Sequence, residues 1–220
     1  MSTSPKERSL CKIDMKNKLN LTQSCRDALR IMLNLSDAGH SVEHVVRVYD
    51  WCRKLAHHYP QTDLKVLKVA AYWHDVGRTK QSEDKDDHNI KSAQMVEQYL
   101  KKHHAPEVFI KKVKNTVVYH SFRFKSKTIE GKILHDADKL SIMGNHELLD
   151  ALEGYQEGFS SKTFGGQHMI NFMKYALSKT KKEVTHLEAG LILPQSKKFY
   201  LNRQKQIFQI AKIIEQKAKY

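Results

Sequence analysis

Thirteen histidines stand in this chain of 220 residues, and several of them sit among apolar, helix-forming neighbours. Trp73-His74-Asp75-Val76-Gly77 closes the almost wholly apolar run Leu64 to Trp73. An imidazole and a carboxylate therefore project side by side from the end of a buried helix. Adjacent helical residues point about 100° apart, and both still reach one ion if it lies near the helix terminus. Imidazole with carboxylate suits divalent ions of intermediate hardness such as Mn, Fe, Co, Ni or Zn. His40, His44, Arg47 and Trp51 recur at spacings of four, three and four, which is one helical stripe. In it, His44 with an arginine one turn later suits a metal next to a phosphate. Asp138, in Leu134-His135-Asp136-Ala137-Asp138-Lys139-Leu140, lies in an apolar helix, where an unpaired carboxylate would be very costly and a cation partner is required. His135-Asp136 repeats the dipeptide and is a decoy, because a His-Asp pair alone commonly caps a helix or pairs at the surface. The order His, then His-Asp, then a distant Asp carries the weight.

Helices must position these residues. Val42, Val45, Val46, Tyr49, Cys52 and Leu55 mark one amphipathic helix, and Leu64 to Trp73 a short buried one. Ile90, Ala93, Val96 and Leu100 mark a third. Phe109, Val113 and Val117 mark a fourth, with Pro106 in its first turn. Ile129, Ile133, Ala137 and Leu140 carry the next. Further stripes run through Leu148, Leu149, Leu152 and Phe159, and through Met169, Ile170, Met173, Ala176 and Leu177. Pro194 breaks the chain before a long closing helix with Phe199, Ile207, Ile210 and Ile214. The acidic stretch Lys80 to Asp87 and Gly165-Gly166 read as breaks between helices. With no hairpin dipeptide and no repeat, the fold class is all-α. The expected organisation is a loose tail over residues 1–14 and one helical bundle over residues 15–220.

Composition bounds the rest. The chain carries 38 Lys and Arg against 24 Asp and Glu, a net charge of +14, and 40% of its residues are hydrophobic. That supplies a core and argues against global disorder. The mean hydropathy of −0.61, and the lack of any apolar run near the roughly 20 residues of a membrane helix, point away from a membrane. No apolar signal core follows Lys6, Glu7 and Arg8. Three cysteines (Cys11, Cys25 and Cys52) are an odd number at unrelated spacings, which fits a reducing cytoplasm rather than a disulfide framework. The positive excess suggests a polyanionic or phosphorylated partner. It is concentrated after Ser161, where 12 basic residues face 3 acidic ones.

Taken together, His44 in HSVEHVVRVYDWC, His74 and Asp75 in AAYWHDVGR, and Asp138 in KILHDADKL resemble the four-residue signature of the HD-domain metal-dependent phosphohydrolases. DDHNIKSAQMVEQYL with His88, VVYHSFRF with His120, and THLEAGLILPQSKKFYLNRQKQIFQIAKIIE resemble the small bacterial members that hydrolyse nucleotides. The resemblance covers about Asp37 to Glu215. It implies an HD-type helical bundle with metal ligation by His44, His74, Asp75 and Asp138. In members with two ions, it implies that His88 and His120 hold the second and Asp75 bridges. The cofactor would be one or two divalent ions, among Mn, Mg, Co, Ni, Fe or Zn. His40 matches a frequent subgroup histidine and is kept as a supporting residue. Two departures bear on the substrate: Ser141 stands where close members have an aspartate, and Gly144-Asn145-His146-Glu147 replaces a glycine-rich stretch.

The implied reaction is attack by a metal-activated hydroxide on a phosphate ester or anhydride, most simply that of a nucleotide. A nucleoside triphosphate is the first choice and a 5′-nucleotide the second. Arg47, Arg78, Lys80, Arg123 and Lys125 lie within a few residues of the ligand motifs and are candidates to hold phosphate. Arg78 is also placed with Asp75 in the catalytic set. So is Glu130, two helical turns before Asp138, as a candidate to orient a ligand or a water. A homodimer fits a small basic α-helical enzyme. Two alternatives come from other classes. One is an inactive module that binds metal and nucleotide. The other is a nucleic-acid-binding protein, disfavoured because basic strands interleaved with aromatics and a helix-turn-helix are both missing.

Overall fold

The computed structural model describes residues 19–34, 41–78, 88–121, 126–142 and 190–217. Among them all regular structure is α-helical: α1 (Leu21–Leu33), α2 (Val42–Ala56), α3 (Leu64–Trp73), α4 (His88–Lys102), α5 (Glu107–Val118), α6 (Ile129–Ile142) and α7 (Pro194–Lys217). The expected tail 1–14, the acidic stretch from Lys80, the stripes from Leu148 to Leu177 and Gly165-Gly166 lie outside the described residues. Among the described residues, no helix is long and apolar enough to cross a membrane.

Packing divides the chain into residues 1–134 and 135–220, a boundary that falls inside α6. In the first unit α3 is central, packed by α1, α2, α4 and α5. Its sequence explains the position. Val66, Leu67, Val69, Ala70, Ala71 and Trp73 are all buried, so nearly every face of the helix is apolar. The Asp63 carboxylate caps its first turn by accepting from the Lys65 and Val66 N–H groups. α2 starts in the same way, with the Ser41 hydroxyl accepting from His44 N–H.

Several details differ from the periodicity reading. The core face of α2 is Val45, Val48, Cys52 and Leu55, with Val46 exposed, and Ile90 of α4 is exposed as well. Consecutive β-branched residues make two helical phases look equally apolar, and only the neighbouring helices choose between them. Pro106 caps α5 from outside rather than entering it, with extended ψ of 137°, as the residue before a helix commonly has. Pro194 opens α7 rather than interrupting the chain, since a first-turn proline gives up an N–H that has no helical partner anyway. α1 has no counterpart in the periodicity reading. It buries Ser24, Cys25, Ala28 and Met32, a stripe too small and polar to stand out. Trp73 Nε1 donates to Ser24 Oγ at 3.0 Å, and Tyr99 donates to Asp27 Oδ2 at 2.8 Å, so α1 is tied to both α3 and α4 by polar contacts.

The second unit contains the rest of α6 and α7. There Asp136 accepts from the N–H groups of Ile192 (2.9 Å) and Leu193 (2.7 Å), just before α7 begins. His135 Nε2 lies 3.0 Å from the Gly190 carbonyl. The decoy pair is thus engaged in structure, as a buried carboxylate must be if no cation meets it.

A candidate metal centre

His44 lies in the first turn of α2, His74 and Asp75 follow the last turn of α3, His88 opens α4, and His120 follows α5. Four elements of the first unit therefore deliver five side chains to one place. All but His88 are buried at 2% relative exposure or less.

Backbone carbonyls aim two of the rings. His74 Nδ1 is 2.7 Å from Ala71 O, and His120 Nδ1 is 2.5 Å from Val117 O. A carbonyl only accepts, so each Nδ1 carries the proton and each Nε2 presents a lone pair inward. The three-residue turn that closes each helix produces this geometry, as an outer hydrogen bond does for metal-ligating histidines generally.

The Asp75 carboxylate divides the centre in two. Oδ2 lies 3.4 Å from His74 Nε2 and 3.6 Å from His44 Nε2, and those two nitrogens are 3.4 Å apart. Oδ1 lies 3.5 Å from His88 Nε2 and 3.9 Å from His120 Nε2, themselves 3.4 Å apart. With metal–nitrogen bonds near 2.1 Å, tetrahedral ligands stand about 3.4 Å from one another. The sets His44, His74, Asp75 and Asp75, His88, His120 fit that requirement, and both can hold a metal ion.

Supporting contacts fix the second set. Gly77 N–H donates to Ser92 Oγ at 2.8 Å, joining the end of α3 to the first turns of α4. A Cβ at Gly77 would lie 2.5 Å from both His88 O and Ser92 N, so only glycine permits this approach. Buried Asn89 donates to Val118 O at 2.8 Å and ties the helix starting at His88 to the one ending before His120. Sequence reasoning missed Asn89, whose only signal was an amide beside a histidine. It also missed the structural weight of Gly77, which has no side chain to signal it.

The other predicted residues fall as follows. Arg78 is at the centre, with Nε 2.9 Å from Asp75 Oδ1 and Nη2 3.2 Å from His88 Nε2. Arg47 is partly buried one turn after His44, and its Nε is buried without a hydrogen-bond partner among the described residues. Asp138 is half-buried on the part of α6 that belongs to the second unit. Its neighbour Lys139 is buried, which pushes the ammonium pKa down against the opposing pull of Asp138 and Asp136. Glu130 is not brought to the centre. Its Oε1 accepts from Asp63 N–H at 2.8 Å, at the start of α3, whereas His74 follows the end of that ten-residue helix. That is about 15 Å of helix axis, so the carboxylate holds α6 to the α3 N-terminus instead of acting on a ligand. His40, Lys80, Arg123 and Lys125 lie outside the described residues.

Comparison with known proteins agrees with the geometry. Residues 41–143 match the family model of the HD domain. No curated protein matches the sequence significantly. Among solved structures, Bacillus subtilis YpgQ in complex with ADP is similar at 18% identity and a TM-score of 0.59, covering 93% of this chain and 96% of that one. The Lin1889 protein from Listeria innocua is similar at 17% identity and a TM-score of 0.58, covering 91% and 98%. A predicted HD superfamily hydrolase from an uncultured Thermotogales bacterium is similar at 22% identity and a TM-score of 0.51, covering 76% and 99%. The HD match spans all four elements that carry the histidine–aspartate centre, and residues 41–143 of this chain are an HD domain.

Proposed function

We propose that the chain is a metal-dependent phosphohydrolase that acts on a nucleotide, with a nucleoside triphosphate as the preferred class. The observation that carries this reading is the single carboxylate of Asp75, each of whose oxygens faces its own pair of imidazole nitrogens. His44, His74 and Asp75 would hold one divalent ion, and Asp75, His88 and His120 a second. Asp138 is a proposed ligand from its sequence motif alone. Bound divalent ions supply hydroxide at neutral pH and neutralise phosphoryl oxygens. The chain's own residues do the remainder. Ala71 O and Val117 O keep His74 and His120 in the tautomer that offers Nε2. Arg47, whose buried Nε has no hydrogen-bond acceptor among the described residues, would donate to a phosphate oxygen. The ADP bound to a structural relative supports a nucleotide as the ligand class.

The test is metal analysis of the purified protein, followed by phosphate release from a panel of nucleotides with Mn, Mg, Co or Ni. Hydrolysis should require the ion and should vanish in Asp75→Ala and Asp138→Ala. Wild-type rates in Asp75→Ala would refute the mechanism. Ion binding with no hydrolysis across the panel would favour a metal- and nucleotide-binding module instead.

A further inference from the structure

Arg78 is joined to the centre by two contacts on the same side of Asp75. Its Nε is 2.9 Å from Oδ1, and its Nη2 is 3.2 Å from His88 Nε2. A guanidinium has donors only. His88 must therefore meet it with the Nε2 lone pair, and Asp75 with an Oδ1 lone pair. Those are the electron pairs that would bind a cation in the second set, whose Oδ1–Nε2 edge is 3.5 Å.

We propose that the Arg78 guanidinium and a second divalent ion are alternative occupants of the edge between Asp75 Oδ1 and His88 Nε2. This rests on the reading of the five side chains as ion ligands. Loading the second position then requires the arginine to leave, so the second ion binds more weakly than the geometry of its ligands alone would give. Two features make departure feasible. The Arg78 Nε–H is close to Oδ1 without being aligned as a hydrogen bond, and the side chain is 25% exposed rather than sealed in. Once displaced, the guanidinium carries five donors and a fixed positive charge beside the ion pair, suited to a phosphate oxygen. Arrival of the second ion and release of a phosphate-binding arginine thus become one event.

Manganese binding to the full chain, without substrate, tests this by spin resonance of free Mn and by calorimetry. Wild type should bind one ion tightly and a second weakly. Arg78→Met should tighten the second by about tenfold or more, near 1.4 kcal/mol, and leave the first almost unchanged. Arg78→Lys keeps the charge but presents one donor centre in place of the fork, and should fall between them. His88→Ala should abolish the second ion in either background, which identifies the position being read. Circular dichroism and melting confirm that each variant folds. A second affinity that is unchanged or weaker in both Arg78 variants overturns the proposal while the ligand reading stands. Absence of any bound ion in folded wild type and variants overturns the ligand reading and the proposal together.

Discussion

Asp75 decides what this centre can do, because it is the one residue common to both sets of donors. Its buried carboxylate gathers four imidazoles and a guanidinium. Arg47 is the residue whose role is simplest to isolate, since its Nε meets no acceptor among the described residues. Arg47→Ala should lower kcat/KM for the nucleotide by about 10- to 100-fold, the worth of a charge-assisted hydrogen bond, without changing ion stoichiometry. Steady-state kinetics beside an ion titration would check both halves. A second residue-scale expectation concerns alkaline pH. Burial pushes the Cys25 thiol from 9.0 to about 11. Burial, then the bond to Asp27, also raises the Tyr99 phenol. Both groups favour the protonated folded form. The Cys25 contribution is complete below the ordinary thiol value and is lost as pH rises from about 9 to 11, whereas that of Tyr99 is lost only above the ordinary phenol value. Urea melts between pH 8 and 10.5 should show falling stability, with a shallower fall in Cys25→Ala.

Helices α3 and α4 set the centre at the scale of elements, through one close approach at Gly77. Gly77→Ala should cost about 1–3 kcal/mol from overpacking. It should also weaken the ion set that includes His88, because the added Cβ meets the backbone of the first turn of α4. Glu130→Ala is the contrast. It leaves the Asp63 N–H without its acceptor and should cost about 1–2 kcal/mol, yet ion affinity should stay at the wild-type value. Thermal melts and Mn titrations on the two variants separate a helix that carries ligands from a contact that only holds helices together. If Glu130→Ala lost ions as Gly77→Ala is expected to, the structural role assigned to that carboxylate would be wrong. Periodicity made α2 to α6 legible because each buries a regular stripe. α1 escaped because its stripe is Ser24, Cys25, Ala28 and Met32, and its place depends on polar partners in α3 and α4.

Five side chains from four elements converge in the folded molecule but not in the unfolded chain, so bound ions should stabilise the fold as a whole. At a free ion concentration 100 times the dissociation constant the gain is about 2.7 kcal/mol. For a chain of this size, that corresponds to a rise of about 5–10 °C in Tm. Scanning calorimetry with added Mn and then with excess chelator should show the rise and its reversal, and Asp75→Ala should show neither. The net charge of +14 contributes little to this centre. Its largest excess lies after Ser161, and the proposed chemistry depends on arginines near the ligands rather than on the total.

The sequence alone determined the all-α class and the apolar stripes of α2 to α6, and its resemblance to a family pointed to the candidate ligand side chains. The class and the stripes depend on composition and on spacings of three and four, which are local. The tertiary structure decided how they are used. It split Asp75 between two pairs of histidines, each ring reaching the carboxylate from its own place in the chain. It turned His74 and His120 with carbonyls that no side-chain pattern announces. It placed Arg78 against His88 and took Glu130 to the far end of α3. It also gave the copy His135-Asp136 partners of its own, in the chain just before α7. Identical dipeptides acquired different roles because a buried carboxylate must find partners, and only the packed chain supplies either imidazoles or backbone N–H groups.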